Sequence, residues 1–181
     1  MRRPVQIRAK NLAPLRKLFE KVRDFGADPT ELLDIWGALL EASVRRRFDT
    51  GQGPGGVPWP ISQRVARHGG KTLVDKGNLE SSIRYDVRPG ELEVGVDGVG
   101  ASSKFAYVHQ FGFEGAVQIA AHTRTVSEAF GIPLPGPVTQ NVKAHSRNMK
   151  IPARPMLGID DDDRRDMRDV ARDHLRSLIN G

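Results

Sequence analysis

The residues of this 181-residue chain best suited to proton or metal chemistry at neutral pH are five histidines: His68, His109, His122, His145 and His174. None lies in a His-Glu-x-x-His pattern, and no acidic residue stands near any of them at metal-ligand spacing. His122 and His145 would make a ligand pair if they were cross-strand neighbours, but a stable site normally needs three ligands. His109 reads as a hydrogen-bonded core residue and His174 as packing at the edge of a helix stripe. Gly69-Gly70-Lys71-Thr72 ends like a phosphate-binding loop. That motif also requires Gly at position 65, where this chain has Val65, and a buried strand ahead of it. The run Asp160-Asp161-Asp162-Asp163 lacks the alternating ligands and glycine turn of a calcium loop, and reads instead as the start of a helix. With no nucleophile elbow, dinucleotide fingerprint or spaced carboxylate pair, no enzyme, cofactor or metal site is expected.

Composition narrows the class further. Hydrophobic content is 38% and aromatic content 6%, a thin core for this length that hints at apolar surface buried against other subunits. The absence of cysteine rules out disulfides and thiolate metal sites and suits a reducing compartment. No apolar run is long enough to span a membrane and no signal-peptide pattern opens the chain, so a soluble protein made in the cytoplasm is expected. The formal charge is +6. Residues 1–25 hold eight basic groups (Arg2, Arg3, Arg8, Lys10, Arg16, Lys17, Lys21, Arg23) against Glu20 and Asp24, which accounts for all of it. That segment would suit nucleic acid or an acidic partner, or would simply be a solvated helix face.

The elements that must position these residues follow from periodicity and punctuation. Pro4 to Ala9 reads as a short edge strand, and Asn11 caps a helix running to about Phe25, ended by Gly26. Asp28-Pro29 opens a second helix with Leu32, Ile35, Trp36, Leu39, Leu40 and Ser43 on one side. Glu41 and Arg45 pair across one turn of it, and Arg45-Arg46-Arg47 lies at its negative end. A Gly/Pro loop then seats Trp59 as an aromatic plug, and 62–70 holds a helical turn. Ser82–Val87 and Glu91–Val96 alternate as two strands joined at Pro89-Gly90. Phe105, Tyr107, His109 and Phe111 recur every second residue, which predicts a third strand carrying their rings on one face. Residues 113–150 read as an extended β-arm with legs at 117–126 and 138–149 and a proline-rich tip. Ala121-His122-Thr123-Arg124 echoes Ala144-His145-Ser146-Arg147 on its two legs. Met167, Val170, Ala171, His174, Leu175 and Leu178 mark a terminal helix. The fold class is therefore α+β, a small antiparallel sheet packed by about three helices. It forms a single domain with a basic N-terminal segment (1–28), a helix-plus-sheet core (29–112), the arm (113–150) and a proline-rich crossing into the last helix (151–181).

The landmarks Arg47-Phe48, Trp59 in its loop, Lys76-Gly77-Asn78-Leu79, Tyr107-Val108-His109-Gln110-Phe111-Gly112 and Ile151-Pro152-Ala153-Arg154-Pro155-Met156-Leu157-Gly158 occur in that order. Their order and spacing resemble the phage virion-morphogenesis family, the tail-completion proteins of Mu-like and related long-tailed phages, over residues 30–179. Lys76 departs from the threonine frequent there, and the arm varies widely among such proteins. The resemblance implies a non-enzymatic virion protein of the head–tail junction, made in the host cytoplasm. Such a protein would form a homo-oligomeric ring, six-fold to match a tail tube, that completes the tail or joins it to the capsid connector. Its partners would be other copies, other neck and tail proteins, and DNA passing through the channel, with no membrane. Trp59, Gly77, Tyr107, Gln110, Phe111, Gly112, Pro152, Pro155 and Gly158 are then structural motif residues. Pro155 holds Arg154 extended, so Arg154 is expected to be buried against a carboxylate or backbone carbonyls, or to cover a sheet end. On the arm, Arg124, Arg147, His122 and His145 are expected to face a partner surface or DNA phosphate. The competing reading is a nucleic-acid-binding protein using the basic N-terminal helix, which lacks interleaved aromatics there.

Overall fold

The structure, a computed structural model, describes residues 12–24, 28–96, 101–129 and 132–180. In chain order come α1 (Ala13–Asp24), α2 (Thr30–Thr50), α3 (Gln63–His68), β1 (Ile83–Arg88), β2 (Glu91–Val96) and α4 (Ala101–Phe111). β3 (Phe113–Ile119), β4 (His122–Ala129), β5 (Ile132–Val142), β6 (His145–Ile151) and α5 (Asp161–Asn180) follow. Helices with small antiparallel sheets give the α+β fold that the sequence predicts. The chain divides into two compact units, Met1–Gly112 with Pro152–Gly181, and Phe113–Ile151. The predicted strand at 4–9, the cap at Asn11 and the helix end at Phe25 and Gly26 lie outside the described residues.

In the first unit, apolar positions three, four and seven apart give α1, α2 and α5 one buried stripe each. Leu15 and Val22 of α1, Leu32, Trp36 and Leu40 of α2, and Met167, Ala171 and Leu175 of α5 meet in one cluster. The Trp36 indole satisfies its N–H by donating to the Met167 carbonyl at 2.8 Å. Ile35, predicted on the apolar side, is instead 38% exposed, and Leu33 and Val44 are buried with the stripe. A second cluster joins Val44 and Phe48 of α2 to Trp59, Ile83, Val96, Ala106, Met156 and Leu157. In it the Phe48 and Trp59 rings meet edge to face at 5.5 Å. The predicted Glu41–Arg45 pair forms at 2.8 Å. β1 and β2 pair from Ile83↔Val96 to Arg88↔Glu91 around Pro89-Gly90, as read from the sequence. Gly37 lets β1 lie against α2, because a Cβ there would fall 2.2 Å from Cδ2 of Tyr85.

The stretch from Phe105 to Phe111 is a helix, not the predicted strand. Alternation by two was the wrong period. Ala106 and Gln110, four apart, are the buried pair, while Phe105, Tyr107 and Phe111 are 59%, 59% and 54% exposed. A strand would have buried the rings; a helix buries the small and polar residues between them. β1 and β2 consequently form a two-stranded sheet.

The second unit is a ribbon. β3 pairs with β6 from Phe113↔Ile151 to Ile119↔His145, and β4 with β5 from His122↔Val142 to Val126↔Val138, in one unbroken register. The ladder opens only at Ala120-Ala121 and Lys143-Ala144, and shifts between Val126 and Glu128. Pro133, Pro135 and Pro137 belong to β5 and not to a separate tip. Each strand of a two-stranded ribbon has a free edge, where proline is tolerated. None of the unit's described side chains is buried.

Candidate functional site

Residues 152–160 have neither helix nor strand, yet Arg154, Met156 and Leu157 are buried. Pro155 removes one N–H and keeps Arg154 extended, so the segment cannot coil. A buried extended segment with no strand beside it must find other partners for its backbone groups. Side chains supply them. Gln110 of α4 accepts from the N–H groups of Met156 and Leu157, both at 3.0 Å. Its amide nitrogen donates to the Leu157 carbonyl at 3.0 Å. The Trp59 indole donates to the Pro155 carbonyl at 2.8 Å. Arg47 of α2 donates from Nη1 to the carbonyls of Met156 and Gly158, each at 2.9 Å.

Arg154 is held the same way from both ends. Its backbone N–H donates to the His109 carbonyl at 2.6 Å, and its guanidinium Nε donates to the Pro60 carbonyl at 2.7 Å. Its partners are therefore backbone carbonyls and not a carboxylate. Burial pushes the guanidinium below its ordinary value. Burial and the neighbouring Arg154 together push the His109 imidazole down, favouring its neutral form. Glycines allow the close approaches: Gly158 has φ +157°, and a Cβ there would sit 2.8 Å from Cγ of Pro54.

The second hand of Arg47 ties this segment to the start of α5. Nη2 donates to Asp163 at 2.7 Å and to Asp160 at 3.3 Å, and Ser43 donates to Asp163 at 2.5 Å. Asp160 and Asp163 also cap each other's backbone N–H, at 2.9 and 3.1 Å, in the reciprocal manner of a capping box. Burial works against the ionised form of Asp160. The backbone N–H groups of Asp163 and Gly55 and the charge of Arg47 outweigh it and hold the carboxyl below its usual range. Arg47 and Asp163 are 5% and 3% exposed, so neither can lose its partner cheaply.

Of the residues singled out from the sequence, Trp59, Gln110, Arg154, Pro155 and Gly158 thus converge on one segment, which opens at the exposed Pro152. Gly77 and Gly112 stand apart from it at φ +75° and +77°, in the turn before Leu79 and at the end of α4. Tyr107 and Phe111 point outward with ring centroids 5.0 Å apart. Arg47, Ser43 and Asp163 carry roles that the sequence reading missed. The available signal was spacing, because Arg47 continues the stripe of Trp36, Leu40 and Val44.

On the ribbon, Arg124 is held by Gln140 at 2.9 and 3.1 Å, and Arg147 stands opposite Val117. His122 faces Val142 and His145 faces Ile119, so the two are not the cross-strand pair that a shared metal would require. Each turns Nδ1 to the carbonyl two residues earlier, Ala120 at 3.0 Å and Lys143 at 2.9 Å. The echoed tetrapeptides thus follow the two sides of the opening in the ladder. Among the described residues no group of three or more His, Cys, Asp or Glu is placed to hold a metal ion. No helix among them is long and apolar enough to cross a membrane.

The family model of phage virion morphogenesis proteins matches residues 10–176. No curated protein and no solved structure matches the chain.

Proposed function

We propose, from the premise that this chain belongs to the phage virion morphogenesis family, that it is a ring-forming subunit of the head–tail junction. The family membership gives it a structural role in phage assembly, in association with the virion and its other proteins. The finer reading is that identical copies, six in a ring matched to the tail tube, complete the tail or join it to the capsid connector. Assembly starts from subunits made in the host cytoplasm, and DNA passes through the finished channel.

The observation that carries this reading is the ribbon Phe113–Ile151, a separate unit with no buried described side chain. A lone two-stranded ribbon is only marginally stable in water. This one exposes Ile132 at 67% and Val138 at 54%. Such an element gains its stability from a neighbour, as in a ring of interlocked subunits. Arg124, Arg147, His122 and His145 lie on it and would meet an acidic partner surface or DNA phosphate. Particles assembled without the protein provide the test. Electron micrographs should show filled heads and separate tails. Joined particles with finished tails would refute the assignment.

A further inference from the structure

The two long edges of the ribbon are built differently. The edge from Ile132 to Ile151 carries Pro133, Pro135 and Pro137, then Lys143, Arg147 and Lys150. Prolines and charged residues, lysine above all, keep an edge strand from pairing with another chain. The opposite edge, β3 and β4, has no proline, and residues 115–123 of it contain no Lys, Arg, Asp or Glu. Its outer backbone groups have no backbone partner among the described residues. Each sheet of the unit is two-stranded, and no backbone hydrogen bond from elsewhere reaches this edge. An edge left open in this way is a template for another extended strand.

A second copy of the same edge fits it. Glu114 and Arg124 bound the uncharged run. When two copies lie antiparallel about a two-fold axis at Ile119, Glu114 of each falls opposite Arg124 of the other. Opposite charges directly across two strands attract. The rungs between them hold small or apolar residues, with Gly115 against Thr123, Val117 against Ala121 and Ile119 against itself. The remaining cations do not oppose this register. Lys150 already pairs with Glu114 inside each ribbon at 2.9 Å, so the carboxylate would lie between two cations. Arg147 of one copy and Lys143 of the other fall on the outer strands, about 14 Å apart at the usual strand spacing. That is beyond the ~8 Å over which salt leaves exposed charges in contact. The joined sheet has four strands, two from each ribbon. Phe113, Val117, Ile119, Met149 and Ile151 alternate along the ribbon with Glu114, Gln118, Asn148 and Lys150, so both copies bring their apolar residues to one face. Three or more strands with an apolar face are stable where a lone ribbon is not.

We infer that two copies of the chain join through the β3–β4 edges of their ribbons, antiparallel about Ile119, with Glu114 of each against Arg124 of the other. The contact does not rest on the ring reading, because a two-fold contact closes at two copies whereas a ring is joined head to tail. Charge variants of the full chain test it, with dimer formation read by analytical ultracentrifugation. Glu114→Arg and Arg124→Glu should each weaken dimerisation by about tenfold, because like charges then oppose one another across the strands. Mixed in equal amounts, the two single variants should pair with each other as tightly as the unmodified chain pairs with itself. The double variant should again pair with itself. A cysteine reads the register without background, because the chain has none. Ile119→Cys should oxidise to a disulfide-linked dimer, whereas Val138→Cys, 54% exposed on the proline-bearing strand, should not. A chain that stays monomeric at every concentration would overturn the pairing, and so would single variants that fail to rescue each other in the mixture. Equal linkage at positions 119 and 138 would also overturn it, as the mark of random collision. Each of these results leaves the ring reading standing, since particles assembled without the protein decide that.

Discussion

Residues 152–160 and the ribbon Phe113–Ile151 are both extended chain, yet opposite in how they are held. The first has no regular structure, and its backbone groups are bound by Gln110, Trp59 and Arg47 from three different elements. The second is held by an antiparallel backbone ladder, and none of its described side chains is buried. Regularity is therefore no guide to anchoring here. A ladder made of backbone alone accepts many side chains. A segment bound by side chains demands a particular residue at each contact.

This contrast can be broken most severely at Arg47. Arg47→Ala strands a buried Asp163 and frees two carbonyls, and should cost roughly 3–5 kcal/mol in a denaturant melt. A loss below about 1 kcal/mol, the scale of a surface pair, would mean that water replaces the guanidinium and that the segment is not clamped. Gln110→Leu and Arg154→Ala come next. The first leaves two N–H groups and a carbonyl unpaired and should cost about 2–4 kcal/mol; the second loses charge-assisted contacts worth about 1.5–3 kcal/mol. An unchanged melting curve for either would remove that residue from the clamp.

How much of this was legible in the sequence follows the same division. Proline and glycine punctuation located the crossing, and Arg154-Pro155 required an extended backbone there. Hydrophobic spacing found α2, α5 and the β1–β2 hairpin within a few residues. The α4 error arose because Phe105, Tyr107 and Phe111 alternate like a strand while Ala106 and Gln110 repeat like a helix. Ring size suggested burial, and the burial went to the smaller residues. Arg47 was read as a charge at a helix end because its partners, Asp160 and Asp163, are more than a hundred residues away in sequence. The meeting of Gln110 with the Met156-Leu157 backbone is likewise a tertiary contact that no local pattern announces. Whether His122 and His145 were cross-strand neighbours could not be read from their matching flanks, because register is set by the ladder, which puts Val142 and Ile119 opposite them.

A smaller effect sharpens the comparison at Gly158. Alanine there meets Pro54 at 2.8 Å with a backbone that disfavours any side chain, and should cost about 1–3 kcal/mol. The smallest change is expected on the ribbon. Arg124→Ala with Arg147→Ala should alter the melting free energy of the free subunit by no more than about 0.5 kcal/mol. The same double variant should weaken assembly with virion partners, measured as the yield of joined particles. A large drop in subunit stability would show that the ribbon's side chains support the fold itself.

Hydrogen exchange on free and assembled protein measures the difference between the two segments most directly. The amides of Met156 and Leu157, bound to the Gln110 side chain, should be protected in both states. Those of β4 and β5 should exchange rapidly in the free subunit and become protected only on assembly, when a neighbour covers the ribbon. Equal protection of the ribbon before and after assembly would contradict this, because the ribbon would then be stable alone and need no partner.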